Sequence, residues 1–172
     1  KILDRDGNVL AETKVDDNGT EKRVYPYGEL YAHVVGYDSK GKSGLESAEN
    51  FNLLTSNAFF VEKFVKEFQE EKNVGDSVVT TLDTNLQQAA YNALGSYKGA
   101  VVVMEVSTGK ILSMVSKPDF DPNTIGKNWE NITTGEESVL LNRVTQGAYA
   151  PGSVFKLVTT LAYMRENNAY AN

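Results

Sequence analysis

The alternation of apolar and polar positions predicts short strands at the start of the chain, followed by short helices. Residues 1–29 are polar and carry two hairpin-type turn signals, at 6–8 and at 17–19, with an apolar stretch at 9–11 between them. We therefore predict two or three short strands in this part. Residues 30–54 predict two short helices around a loop at 38–44, where serine and glycine are concentrated.

The clearest helical pattern lies at residues 56–72, where Phe60, Phe64 and Phe68 recur at every fourth position. Charged residues fill the opposite face, and Gly75 is typical of a helix end. The pattern predicts an amphipathic helix whose phenylalanine face packs against a core. Binding of a partner by the same face is the alternative.

A change of pattern near Gly75 predicts a domain boundary. Residues 1–75 would then form one small domain, and residues 76–172 would begin a second one. The mixture of short strands, helices and hairpins indicates the α+β class.

The second domain is predicted to open with a strand at 77–82 and a helix that begins at Thr84 and ends at Gly95. Thr84 and Gln87 have the spacing of a capping box, in which two side chains bond the free N–H groups of a helix start. The helix is expected to bury one apolar face, made of Leu86, Ala89, Ala90, Ala93 and Leu94.

A hairpin is predicted next, with strands at 99–106 and 110–116. The apolar run at 100–104 has no polar interruption, which predicts burial of that strand on both faces. A short helix is predicted at 136–142, and a last helix is predicted after Pro151 and Gly152. The last helix is expected to bury one side, made of Phe155, Val158, Leu161 and Ala162.

Composition excludes several kinds of site. The net charge of -6 lacks the basic excess of a nucleic-acid surface, so nucleic acid is not an expected partner. The chain has no cysteine and a single histidine, His33, so we predict no disulfide, no metal site and no cofactor. His33 lies in an apolar stretch and is predicted to pack or to cap. No apolar run approaches the ~20 residues of a membrane-spanning helix.

Serine followed three positions later by lysine is the pattern with the most chemical content. On a helix the two side chains share a face, so the lysine amine can take the proton that makes the serine nucleophilic. Only the last of three such pairs follows a Pro-Gly turn and opens a helical pattern. We identify Ser153 as the candidate nucleophile and Lys156 as its base, with a plain N-cap serine as the alternative. The pairs are Ser39/Lys42, Ser107/Lys110 and Ser153/Lys156.

The residues around this pair, 141–156, resemble the first active-site motif of the class B penicillin-binding proteins. The resemblance extends along nearly the whole chain and includes several segments in the family's order. The matching segments are 2–11, 25–36, 44–46, 80–87 and 99–117.

The resemblance implies a small mixed pedestal domain followed by the start of a penicillin-binding/β-lactamase-like transpeptidase domain with an incomplete sheet. It implies that Ser153 attacks a D-Ala-D-Ala stem peptide of peptidoglycan, that Lys156 is the base, and that the N–H of Ser153 is half of an oxyanion hole. β-Lactams would acylate the same serine. The expected partners are cell-wall synthesis proteins, and the expected location is the outer face of a bacterial membrane, through an anchor outside this chain.

The chain departs from the family pattern after the nucleophile. The Ser-x-Asn motif does not occur, and a Lys-Ser-Gly sequence occurs only at 42–44, where we interpret it as a loop. We therefore expect the chain by itself to bind penicillin weakly or not at all. Unpaired strand edges are expected to cause strand exchange between copies or to recruit a companion chain. Two alternatives remain open: a non-catalytic scaffold that works through residues 1–75, and a serine β-lactamase or β-lactam sensor.

Overall fold

The computed structural model describes residues 1–55 and 75–167, which form an α+β fold. A four-stranded sheet joins the start of the chain to residues 78 and 79. Strands β1, β2 and β3 are successively antiparallel, and β4 pairs with β1 in parallel, so that the order is β3-β2-β1-β4. The strands are β1 (Ile2–Leu3), β2 (Val9–Val15), β3 (Glu21–Val24) and β4 (Val78–Val79).

Both predicted hairpin turns of the first part are confirmed. Asp16 explains the second turn, because its carboxylate accepts hydrogen bonds from the backbone N–H groups of Asn18 and Thr20. The strand predicted at 77–82 is shorter than expected. Beyond Val79 the pairing with β1 becomes irregular: the N–H of Thr80 still donates to the carbonyl oxygen of Leu3, whereas the N–H of Leu82 donates to the Thr80 hydroxyl.

Short helices surround the loop predicted at 38–44. A 3-10 turn, Gly28–Tyr31, precedes α1 (Ala32–Val35), and the loop leads into α2 (Gly44–Ala48) and α3 (Asn50–Leu54). The prediction of helices around a loop is confirmed, with one more helix than expected. The helix predicted from Phe60, Phe64 and Phe68 lies outside the described residues.

Gly36 and Gly44 lie where the two sides of this loop touch. Gly36 has a φ of +85°, and a Cβ atom there would overlap the carbonyl oxygen of Ser43. A Cβ atom at Gly44 would stand 2.7 Å from the carbonyl oxygen of Val34. Only glycine allows this close approach of two backbones.

The second part of the fold contains the predicted hairpin. The helix predicted at 136–142 is wrong, because Ser138 has a φ of +51° and the Arg143 guanidinium bonds three carbonyl oxygens of this segment. A helix that was not predicted, α5, lies before it. The elements are α4 (Thr84–Leu94), β5 (Gly99–Met104), β6 (Ile111–Lys117), α5 (Ile125–Thr134), a 3-10 turn (Gly152–Phe155) and α6 (Lys156–Glu166).

The capping box predicted for α4 is wrong in its residues. Asp83 is the N-cap, and its carboxylate accepts hydrogen bonds from the backbone N–H groups of Asn85 and Leu86. Gln87 is instead fully buried. The buried face is therefore rotated from the predicted one: Ala90 is buried, whereas Leu86, Ala89 and Ala93 are exposed.

The burial predicted for both faces of β5 is also wrong for the described chain. Val102 is 49% exposed and Met104 is 52% exposed, because α4 and the first part of the chain cover β6 rather than the outer face of β5. On β6, by contrast, Ser113, Val115 and Ser116 are buried.

Two hydrophobic clusters hold the fold together, and each contains residues from both parts of the chain. The larger cluster includes Ile2, Leu10 and Leu82, and the smaller one joins Ala32 and Tyr37 to Phe120 and Ile125. None of the helices in the described ranges is long and apolar enough to cross a membrane.

Candidate active site

Ser153 and Lys156 lie in one continuous helical segment. Gly152 has a φ of +53° and opens the 3-10 turn, and the backbone N–H of Lys156 donates to the carbonyl oxygen of Ser153. A 3-10 helix has three residues per turn, so side chains three positions apart lie almost directly above each other. The helix predicted after Pro151 is thus confirmed, and its backbone places residues 153 and 156 on one face.

The same helix is exposed to solvent along nearly its whole length. Neither Ser153 nor Lys156 is buried, and α6 contains no buried residue in the described chain. The buried side that the sequence predicted is therefore not covered by any described element. Six large apolar side chains of this helical segment are more than half exposed, whereas Met164 is half-buried. The exposed ones are Val154, Phe155, Leu157, Val158, Leu161 and Tyr163.

The two other Ser-x-x-Lys pairs lack this geometry. Ser39 and Lys42 lie in the loop before α2, and Ser107 and Lys110 lie in the turn between β5 and β6. The Lys-Ser-Gly sequence at 42–44 belongs to the same loop, where its glycine is explained by the backbone contact with Val34. The structure confirms that, of the three pairs, the third is the one that opens a helix.

A buried amide joins the first part of the chain to the strand that precedes the site. Gln87 donates to the carbonyl oxygens of Leu30 (2.8 Å) and Met114 (2.9 Å). Its own oxygen accepts from the Ser113 hydroxyl and from the backbone N–H of Met114, both at 2.9 Å. All of the hydrogen-bonding capacity of this amide is used. The bonds fix α4 between β6 and the 3-10 turn at Gly28–Tyr31.

A second polar link runs through Asp4, Thr84 and Tyr31. The Thr84 hydroxyl donates to Asp4, so the Tyr31 hydroxyl, 2.8 Å away, donates to Thr84. Burial alone would raise the pKa of Asp4, but hydrogen bonds from Asn8, Thr84 and the backbone outweigh it and hold that pKa below its usual value. Burial raises the pKa of the Tyr31 hydroxyl to about 12.

His33 is packed, as predicted. Its Nε2 donates to the carbonyl oxygen of Pro118 (3.0 Å), and its ring stands edge-on to Phe120. Burial lowers the pKa of the imidazole, and the bond to Pro118 opposes that shift only in part. The backbone carbonyl of His33 accepts a long bond, 3.4 Å, from the Asn142 amide, at the start of the segment that leads to Ser153.

Sequence reasoning did not identify Gln87, Thr84 or Asn142 as contacts between the two parts. Each bonds a residue far away in the sequence, so no local spacing marks it. The sequence offers one weak signal, a glutamine within a predicted helix. The capping-box interpretation had already given Gln87 another role.

Two protein-family profiles match the chain. The profile for the penicillin binding protein transpeptidase domain matches residues 99–172, and the profile for the penicillin binding protein A dimerisation domain matches residues 1–78. The chain belongs to the class B penicillin-binding proteins, which confirms the resemblance found in the sequence.

Within this class, the chain is similar to PbpA. It is 40% identical over 176 residues to peptidoglycan D,D-transpeptidase PbpA of Mycolicibacterium smegmatis, covering 92% of this chain and 36% of the relative. It is 29% identical to MrdA of Escherichia coli, covering 83% of this chain and 28% of that relative. The chain thus spans about a third of the length of these curated relatives.

Solved structures give the same result for the fold. Penicillin-binding protein A from M. tuberculosis, solved as an imipenem acyl-enzyme complex, has a TM-score of 0.86 and 35% identity, covering 96% of this chain and 42% of that one. The D,D-transpeptidase domain from Eggerthella lenta has a TM-score of 0.79 and 38% identity, covering 97% and 36%. The predicted α+β fold, with a transpeptidase-type second part, is confirmed.

Proposed function

We propose that Ser153 is the nucleophile, and Lys156 the proton acceptor, of a peptidoglycan D,D-transpeptidase. Residues 1–75 would be its pedestal, and residues 76–172 would begin its catalytic domain. One observation supports the proposal: the 3-10 turn at Gly152–Phe155 runs directly into α6, so Ser153 and Lys156 lie three positions apart at the start of one helical segment. The first N–H groups of a helix have no intrahelical acceptor, so they favour negative charge on the serine oxygen.

The proposed reaction has two acyl transfers. The Ser153 oxygen bonds to the carbonyl carbon between the two D-alanines of a stem peptide, and its proton passes to the neutral amine of Lys156. The peptide C–N bond then breaks, and the terminal D-Ala leaves with that proton. An amine of a neighbouring stem attacks the serine ester, which forms the cross-link and frees the hydroxyl.

The negative charge of each tetrahedral intermediate needs two donors. The backbone N–H of Ser153 would supply one donor. The second donor would come from an element that covers the exposed apolar side of α6, because the reacting carbonyl must be shielded from water on that side. The acyl-enzyme step of the proposal is supported by a relative, because penicillin-binding protein A from M. tuberculosis has been solved as acyl-enzyme complexes with imipenem and with penicillin G.

The relatives also support a proposal for the ligands, partners and location of the enzyme. Peptidoglycan stem peptides and β-lactams are the proposed ligands, and cell-wall synthesis proteins are the proposed partners. A location on the outer face of a bacterial membrane would give the enzyme access to its substrate.

Labelling with a fluorescent penicillin tests the proposal in the full-length gene product. We expect covalent labelling that is lost in Ser153→Ala, and labelling slowed 10²- to 10⁴-fold in Lys156→Ala, as for loss of a general base. Ser107→Ala is the matched control, because it removes a serine of the same sequence pattern from a turn. Undiminished labelling of Ser153→Ala would refute the assignment.

The same reagents separate the two other interpretations. A scaffold that works through residues 1–75 would show no labelling at all. A β-lactamase would release the label quickly and would hydrolyse a chromogenic cephalosporin, whereas a transpeptidase would hold the acyl group.

A further inference from the structure

Ser116 contacts the segment that leads to Ser153 at two backbone atoms. Its hydroxyl donates to the carbonyl oxygen of Leu141 (3.2 Å) and accepts from the backbone N–H of Arg143 (2.9 Å). Ser116 is 3% exposed and lies on β6, which is paired with β5 and covered by α4. A single buried hydroxyl on β6 thus makes both hydrogen bonds that attach this loop to the strand.

The attached segment makes local contacts as far as Tyr149. The N–H of Gln146 donates to the carbonyl oxygen of Asn142 (2.9 Å), which closes a turn. Gly147 follows, and a Cβ atom there would stand 2.6 Å from the ring of Tyr149. Residues 141–143 are therefore connected to the 3-10 turn at Gly152–Phe155 by a segment that contains a hydrogen-bonded turn.

This attachment is the last buried one before the nucleophile. Apart from half-buried Gly147, residues 145–155 are exposed, and no described element buries the helix that follows. Asn142 assists from the other side of the segment, because its amide donates to the carbonyl oxygen of His33 and accepts from the N–H of Val144. The placement of Ser153 consequently depends on residues 141–144.

We propose that Ser116 is a positioning residue for the acylation of Ser153. Its hydroxyl holds the backbone of residues 141–143 on β6 and so sets the orientation of the serine at the helix start. The inference rests on the proposed function. A displacement of about 1 Å at a reacting atom can cost about 10²-fold in rate, which sets the size of the expected effect.

The test measures acylation by a fluorescent penicillin in the full-length gene product, well below its melting temperature. The acylation rate constant at saturating penicillin is expected to fall 10- to 100-fold in Ser116→Ala, while the final labelling remains one per molecule. Ser116→Thr retains the hydroxyl and is expected to recover the rate to within about threefold. Ser113→Ala is the matched control, because Ser113 is buried on the same strand but bonds Gln87 instead.

A merely structural role would lower the melting temperature of both alanine variants and leave the acylation rate of the folded protein unchanged. The inference is overturned if Ser116→Ala acylates within twofold of the parent, or if Ser113→Ala slows acylation as much. If Ser116→Ala does not fold, Asn142→Ala is judged by the same two criteria. Loss of Ser153 without loss of labelling would instead refute the proposed function, so the two failures are distinguishable.

Discussion

Replacing Gln87 with methionine should remove a large part of the stability of the fold. Methionine has nearly the volume of glutamine, so the substitution removes hydrogen bonds without opening a cavity. The side chain is fully buried, and its four partners belong to Leu30, Ser113 and Met114. The backbone groups of Leu30 and Met114 would then be buried without a partner.

The magnitude follows from counting these bonds. A typical buried hydrogen bond contributes about 1 kcal/mol net, and a buried group left without a partner costs about 1–3 kcal/mol. Four lost bonds, offset in part by the more apolar side chain, give a loss of about 3–5 kcal/mol in the free energy of unfolding. Domains have only about 5–15 kcal/mol in total, so the effect is a large fraction.

Urea unfolding followed by the fluorescence of Trp129 measures this loss. Trp129 is the single tryptophan and packs against Tyr37, so its signal reports on the core that joins the two parts. Gln88→Met is the matched control, because Gln88 is exposed and its amide donates to the nearby Asn92 side chain, and it should change stability by less than about 0.5 kcal/mol. Equal midpoints for the two variants would show that the buried amide does not connect the parts as argued.

Three further outcomes are expected. Asp4→Asn should flatten the acid limb of the stability curve: the lowered pKa of Asp4 contributes stability that is full above about pH 4 and is lost as the pH falls through the folded pKa, which urea unfolding at pH 2–5 measures. An NMR titration should give His33 a pKa below about 6.5. The contribution of neutral His33 to the free energy of unfolding is therefore full above that pH and falls as the solution is acidified. Gly36→Ala should lower the melting temperature far more than Gly41→Ala, because both have positive φ but only Gly36 faces a neighbouring backbone. An unchanged acid limb, a normal histidine titration or equal glycine effects would contradict these arguments.

The sequence predicted the features that are set by neighbours along the chain. The hairpins around residues 6–8 and 107–109, and the helix after Pro151, follow from turn chemistry and local spacing. The unpredicted helix α5 also had a local signal, because Ile125, Trp129 and Ile132 share one face and pack in the second core cluster.

The polar contacts between the two parts could not be predicted in this way. Gln87 bonds Leu30 and Asn123 bonds Tyr25, across 57 and 98 positions of sequence. Such pairs depend on which elements meet after folding, and many polar residues in the sequence are equally able to form them. The exposure of β5 and α6 has the same origin, because burial depends on what packs against an element rather than on its own pattern.

The parallel pairing of β1 with β4 has a consequence during synthesis of the chain. Ile2 is synthesised before its partner Val78, which is added roughly 75 residues later. At translation rates of about 5–20 residues per second, the nascent strand waits for about 4–15 s with one edge unsatisfied. During that interval a chaperone or another nascent chain can bind the free edge of β1. The order of translation therefore determines when β4 closes this edge and prevents pairing with other chains.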